Sequence, residues 1–438
     1  MSSCTSSSDS LRASMEESAG FRRFLHQFAI FVLGGILLVV AFVLIVDPYD
    51  QYRLVVRPGF NLVKPGLARY QNELKLAKAV RLHPDVLILG HSRAEAGLDP
   101  ESAALARQGL SAYNLAIPGS SIADARRQME FLFQNGIRPK VIILGMEFLD
   151  FMEAPRQKKI AAAPSHGNTN SSPVNPWFWH FDTLFSLASV SDAVQTLLIQ
   201  HNQEVETITD RGFNPLKQYR PIARNEGYYN LFQQRAQENT KVYLKKSAGS
   251  LNLRDFADLQ AILDIAAEAK SDVKLIIYPY HAQILALFEE TGLWGPFEEW
   301  KKLLTSEITA ARGRHPHASI ALFDFSGYGS HNCERIPAKG DRTAVTDWYW
   351  EAGHFKRELG AALLESVLSP DKLVKPGDHQ AIAPNKFGFQ LEESTITANS
   401  RRISQERAHC KQDYPELFDD TASIVTGFRR LQGEKKMP

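Results

Sequence analysis

The chain has 438 residues, of which 44% are hydrophobic and 23% charged, with a formal net charge of +1. Such a composition excludes wholesale disorder and suits one large globular domain with extensions. A charge so close to zero makes no field for gathering nucleic acid, so neither DNA nor RNA is an expected partner.

Residues 1–27 begin Ser-rich and polar and read as a disordered cytoplasmic tail. Phe28 to Val46 then runs about 19 residues without a charge, close to the ~20 that cross a bilayer as a helix. Arg22 and Arg23 precede it, which by the positive-inside rule keeps the N-terminus cytoplasmic and carries everything after Asp47 across the membrane. The run is longer than a signal-peptide core and no small-x-small cleavage site follows, so an uncleaved single-pass anchor is expected. Asp47-Pro48-Tyr49-Asp50 breaks the helix and opens a connecting segment, 47–84.

From Val86 the pattern alternates. Val86–Leu89 is a continuous apolar run, with a helical stretch from Pro100; Tyr113–Ile117 is the next strand candidate, and Ile122, Ala125, Met129, Leu132 and Phe133 recur at helical spacing. Val141–Leu144 is a third strand. Residues 151–252 form an insert in which the alternation lapses, with the aromatic run Trp177-Phe178-Trp179-His180-Phe181 forming a lid or, more in keeping with aromatic clusters, packing on the domain. A helix bearing Phe256, Leu259, Leu263 and Ala266 precedes the strand Val273–Tyr278. A further helix around Phe297–Leu304, the strand Ile320–Phe323 and a helix from Lys356 to Leu368 complete the domain 85–368. The extension 369–438 carries Pro376, Gly377 and Pro384, then a polar helical stretch from about Ile396 to Asp413 expected to dock at the periphery. Apolar strands alternating with amphipathic helices predict an α/β domain, a parallel sheet with helices on both faces. Sites in such sheets sit at the carboxyl ends of strands, where Ser92, Gly119 and Glu147 fall.

The chemistry lies in two local patterns. Gly90-His91-Ser92-Arg93 ends a buried strand with a serine, and Glu351-Ala352-Gly353-His354 places a carboxylate three residues before an imidazole. A serine hydroxyl is a poor nucleophile until a base takes its proton; His354 suits that task, and Glu351, with Asp347 as the competing acid, can fix its tautomer. The plain alternatives are a helix cap for Ser92, a cap or core hydrogen bond for His354 and a surface charge for Glu351. Arg93 reads as a substrate contact or a solvated charge at a helix start. His281 is a packed residue or a substrate contact, and Asp324 reads as structural. The cysteines, Cys4, Cys333 and Cys410, have no metal-ligand spacing, and unpaired thiols are favoured over a Cys333–Cys410 bridge.

In their order these pieces resemble the SGNH/GDSL hydrolase superfamily. Gly90-His91-Ser92-Arg93 is similar to its first block, with His91 in place of the usual aspartate, and Asn114-Leu115-Ala116-Ile117-Pro118-Gly119 to its second. Gly145-Met146-Glu147-Phe148 stands where the family has Gly-x-Asn-Asp, and Glu351-Ala352-Gly353-His354 resembles the terminal Asp-x-x-His. The resemblance covers residues 85–368 and implies a flavodoxin-like sheet. It implies Ser92 as nucleophile, His354 as base, Glu351 as its orienter, and backbone N–H groups of Ser92 and Gly119 as oxyanion donors. An ionised Glu147 cannot donate to an oxyanion as the family's asparagine does, which leaves a slow site, a site that recruits another donor such as Asn114 or Arg93, or a non-catalytic one; Asn114, Glu147, Arg93 and His281 are the candidate substrate contacts.

A closer likeness, to membrane-anchored bacterial proteins of this superfamily, extends through Asp47-Pro48-Tyr49, Pro279-Tyr280-His281-Ala282, Asp324-Phe325-Ser326-Gly327-Tyr328 and Phe387-Gly388. It implies an inner-membrane protein whose periplasmic domain is a serine esterase or O-acyltransferase, acting with acetyl groups on a cell-envelope glycan. No metal or organic cofactor is implied, and a membrane-bound acyl-donor protein is the implied partner. Two rival expectations are a hydrolase of lipids or small esters, and a catalytically degenerate domain that binds glycan or scaffolds an envelope assembly, motivated by His91 and Glu147.

Overall fold

The computed structural model describes residues 6–66, 69–153, 181, 183–375 and 386–434. Trp177–His180, Pro376, Gly377 and Pro384 lie outside them. The chain divides into two compact units, Met1–Pro65 with His166–Gln203, and Gly66–Ser165 with Glu204–Pro438.

The first unit is built on one helix, Ser6–Val46. It begins well before the apolar run, because Leu11, Arg12, Ala13, Met15, Glu16 and Glu17 are good helix formers and no Gly or Pro intervenes before Gly20. Gly20–Val46 is long and apolar enough to cross a membrane. The helix stops where Asp47 adopts a left-handed φ of 50° before Pro48. The Asp47 carboxylate then accepts the N–H groups of Gln51, Tyr52 and Arg53 at 2.8, 3.0 and 2.8 Å, which winds the exit into a turn. A second helix of this unit, Leu187–Leu198, comes from the insert; its Val190, Ala193 and Leu197 pack with Phe42, Val43 and Val46.

The second unit contains the strands β1 (Val86–Leu89), β2 (Ala112–Asn114), β3 (Val141–Met146), β4 (Met152–Glu153), β5 (Ser250–Leu251), β6 (Asp272–Ile277), β7 (Ile320–Asp324), β8 (Tyr349–Glu351), β9 (His354–Phe355) and β10 (Phe389–Gln390). Its main sheet has the order β10-β7-β6-β3-β1-β2, with β4–β5 and β8–β9 as separate pairs. All neighbours in the main sheet are parallel except β10, which runs antiparallel to β7. Helices flank it, so β1 is buried throughout, which is why it reads as an unbroken apolar run. β2 ends at Asn114, earlier than its apolar run, because the Asn114 side chain accepts the Ala116 N–H at 3.0 Å and turns the chain. Two short helices follow β1: Ser92–Gly97, and Ala103–Arg107 close to the expected start at Pro100.

The spatial order reverses after β2: the chain steps from β1 to β2 on one side, then crosses to β3 on the other. Loops leaving β1 and β3 at their carboxyl ends therefore diverge, and a crevice is expected there. Behind it, Phe148, Phe288, Phe297 and Trp300 pack with ring centroids 5.3–5.7 Å apart. Asp324, at the end of β7, is fully buried against Lys301 at 3.1 Å and Asn399 at 2.6 Å, a structural role as anticipated.

The C-terminal extension is more than peripheral. It supplies the edge strand β10 and the helices Ile396–Asp413 and Pro415–Glu434. Cys333 and Cys410 are joined as a disulfide with Cα atoms 5.9 Å apart, which corrects the expectation of free thiols. Their separation of 77 positions in sequence hid a pair that the fold of the tail brings together.

Candidate active site

β1 delivers its last residue to Gly90, whose φ of 140° is open only to glycine. A β-carbon there would also run into the Tyr278 hydroxyl. This turn lets the chain leave the sheet and start a helix two residues later. His91 caps that helix, its Nδ1 accepting the Arg93 N–H at 3.2 Å, and Ser92 is the first helical residue. The loop after β2 is tied to the same turn: Ile117 N–H and Ser120 Oγ donate to the Gly90 carbonyl at 3.0 and 2.9 Å.

The partner of Ser92 arrives from 262 residues away. β8 and β9 form a tight antiparallel pair pairing Glu351 with His354, and Phe355 of β9 packs so closely on Gly97 that no larger residue fits. His354 Nε2 lies 2.9 Å from Ser92 Oγ, and His354 Nδ1 meets Glu351 Oε1. A carboxylate can only accept, so Nδ1 carries the proton and Nε2 is left to accept from the Ser92 hydroxyl. Glu351 is 2% exposed. Burial by itself would raise its carboxyl, but His354, the Arg235 guanidinium at 3.0 Å and the Gly353 N–H outweigh that and hold it at about 2. The acid is thus ionised across the physiological range. Asp347, the competing acid, is exposed, and its backbone is held by Glu334.

A second cluster surrounds Glu147 at the end of β3. Its Oε2 meets Arg93 and accepts from His91 Nε2 at 3.1 Å, and its Oε1 accepts from the Tyr280 hydroxyl at 3.2 Å. Arg93 donates through Nε to the Gly353 carbonyl at 2.7 Å and lies over the Tyr280 ring at 4.8 Å. Burial first, and Arg93 second, lower the His91 imidazole to about 3, so His91 is neutral and its contact with Glu147 is a hydrogen bond, not an ion pair. Glu147 therefore stands beside the site as half of a neutralised pair rather than as a bare anion. Next to it Asp150 lines a small space of about 10 Å³, room for about one water, with Gly90, His91, Ser120 and Glu147; burial pushes its carboxyl up to about 6.

Two of the candidate substrate contacts lie buried in the fold. Asn114 is fully buried and donates its amide to the carbonyls of Ala94 and Leu98, both at 2.8 Å, so it fastens β2 to the Ser92 helix. His281 is fully buried too; it caps the helix Ala282–Thr291 through the Gln283 N–H at 3.1 Å and meets the Glu334 carbonyl at 2.9 Å. Gly119 is exposed in a turn closed by Ser120 N–H on the Ile117 carbonyl, with a φ of 73°. Arg235, from the insert helix Tyr228–Lys246, was not foreseen; no local pattern marks it. Among the described residues no group of three or more His, Cys, Asp or Glu is arranged to hold a metal ion. Comparison of the chain with protein-family models, with curated proteins and with solved structures found no match.

Proposed function

We propose that this protein is a membrane-anchored serine esterase or O-acyltransferase of the SGNH type, handling acetyl groups on a cell-envelope glycan. The observation that carries the reading is the line Ser92 Oγ, His354, Glu351: hydroxyl 2.9 Å from imidazole, imidazole on a buried, ionised carboxylate. The order of the five parallel strands, second-first-third-fourth-fifth, with Ser92 directly after the first, supports a flavodoxin-like sheet with its site at the switch point.

In this mechanism His354 Nε2 takes the Ser92 proton as Oγ bonds to the ester carbonyl carbon. The carbonyl oxygen becomes an oxyanion facing the N–H groups of Ser92 and Gly119. Collapse breaks the bond to the leaving alkoxide, which receives the proton from His354, and leaves acetyl on Ser92. Water, or a glycan hydroxyl in a transferase, gives its proton to His354 and attacks the acyl group, releasing acetic acid or the acetylated glycan and restoring Ser92. Glu351 stays ionised throughout and stabilises the imidazolium. Anchorage rests on the long N-terminal helix, with Arg22 and Arg23 on its cytoplasmic side; the Cys333–Cys410 disulfide suits an oxidising compartment such as the periplasm.

The test is turnover of 4-nitrophenyl acetate by the purified full-length protein in detergent. Ser92→Ala and His354→Ala should each lower kcat by at least about 10³-fold, and Glu351→Gln by about 10²–10⁴-fold, with melting midpoints near wild type for the first two. Equal turnover in wild type and Ser92→Ala would reject an enzyme of this type and favour a glycan-binding scaffold.

A further inference from the structure

The Leu187–Leu198 helix turns apolar residues outward as well as inward: Val190, Ala193 and Leu197 meet the long N-terminal helix, while Leu187, Val194 and Leu198 are exposed. Its buried side carries Ser189, Asp192 and Thr196 together with Ala193, with Asp192 accepting from the Tyr49 hydroxyl at 2.7 Å and Thr196 Oγ1 donating to the Asp192 carbonyl at 2.7 Å. Its outward side carries Leu187, Ser191, Val194 and Leu198, spaced at i, i+4, i+7 and i+11, with Gln195 exposed beside them. Leu187 is 90% exposed and Leu198 77%. Asp192 is the helix's one charged residue, and it points inward. A helix facing water has the opposite distribution. Just before it, Phe181 and Phe185 stack at 4.3 Å and are both exposed.

The position of this helix along the anchor sets its depth. At about 1.5 Å per residue, Phe28–Val46 spans about 28 Å, close to the ~30 Å hydrocarbon core. If that stretch crosses a bilayer, Val43 and Val46 lie at the outer edge of the core. The Leu187–Leu198 helix packs side by side with those residues, so its apolar stripe stands at the same level. An exposed face whose bulk is Leu187, Val194 and Leu198, with the helix's single charge turned to protein, is what lipid, not water, selects.

We propose that the Leu187–Leu198 helix, with Phe181 and Phe185, is embedded in the outer interface of the bilayer and seats the first unit on the membrane surface beside its own anchor. The inference rests on the reading of the long N-terminal helix as a membrane span, and its test separates the two.

Single cysteines are placed in full-length protein carrying Cys4→Ser, with the Cys333–Cys410 disulfide left intact. The positions are Leu187→Cys, Ser191→Cys and Leu198→Cys on the stripe, Leu37→Cys in the middle of the anchor, and Lys302→Cys on an exposed helix of the second unit. Each is labelled with a nitrobenzoxadiazole fluorophore and reconstituted in phosphatidylcholine/phosphatidylglycerol vesicles, with or without phosphatidylcholine brominated high or low on its chains. The three stripe labels should emit to the blue of the Lys302 label and be quenched best by the shallow bromines, the Leu37 label best by the deep ones. Water-like emission at the stripe with Leu37 still quenched overturns the proposal and leaves the span standing. Blue emission without lipid quenching also overturns it, since protein then covers the face. Loss of quenching at Leu37 itself overturns the span, and the proposal with it.

Discussion

Arg93 follows Ser92 directly, and its guanidinium is held by Gly353, Glu147 and the Tyr280 ring. A glutamate at 147 is therefore the counter-charge of a nearly buried arginine, and replacing it leaves that cation unpaired. Glu147→Asn should cost about 3 kcal/mol of stability, read as a fall in the urea midpoint, whatever the new amide adds at the oxyanion. Arg93→Met combined with Glu147→Gln should recover part of the loss, because no charge is then stranded; a double variant no more stable than Glu147→Asn would contradict the pairing. Asp150 gives a pH test. Burial moves its carboxyl from 3.8 to about 6, so the folded state holds this proton more tightly than the unfolded chain. Stability is fully present below about pH 4 and declines as pH rises to about 6. Asp150→Asn should melt above wild type at pH 8, by the equivalent of about 3 kcal/mol, and with it below pH 4. Equal melting at both pH values would place Asp150 in water.

At the scale of elements, the parallel strands were legible because burial on both faces leaves continuous apolar runs such as Val86–Leu89 and Val141–Met146. The Glu-x-x-His pattern was legible for a related reason: β8 and β9 are joined so tightly that acid and base sit three residues apart. What sequence spacing could not reveal is held by contacts distant along the chain. Arg235 reaches Glu351 from an insert helix, and Glu147 meets Arg93 across 54 residues. Phe389–Gln390 is too short to leave a period of its own, so the tail's contribution to the sheet was invisible until its pairing with Phe323 and Asp324 was seen. A helix start at Ser92 or Arg93 was legible, but its cap is His91 rather than Ser92, outside the Ser, Thr, Asp and Asn that usually mark one. The disulfide fixes this same tail, closing a long loop onto the Ile396–Asp413 helix. Cys333→Ser with Cys410→Ser should lower unfolding stability by about 2–4 kcal/mol, and an unchanged urea midpoint would show that the bond is not formed in the cell.

For the whole molecule, the account requires the sheet to be on the far side of the membrane from Arg22 and Arg23. Alkaline phosphatase fused to the C-terminal end, which leaves β10 in place, should be active in cells; an inactive fusion, with a cytoplasmic reporter active at the same position, would reverse the topology and remove the envelope glycan as a substrate. The central claim is that Ser92 is a nucleophile activated by His354 and Glu351, and covalent labelling tests it most directly. Full-length protein is treated with a fluorophosphonate, digested and mapped by mass spectrometry, beside His354→Ala. The account predicts a phosphonyl adduct on the peptide carrying Ser92 in wild type, formed slowly or not at all in the variant. A folded wild-type protein that acquires no adduct at Ser92, or acquires it equally with and without His354, would contradict it.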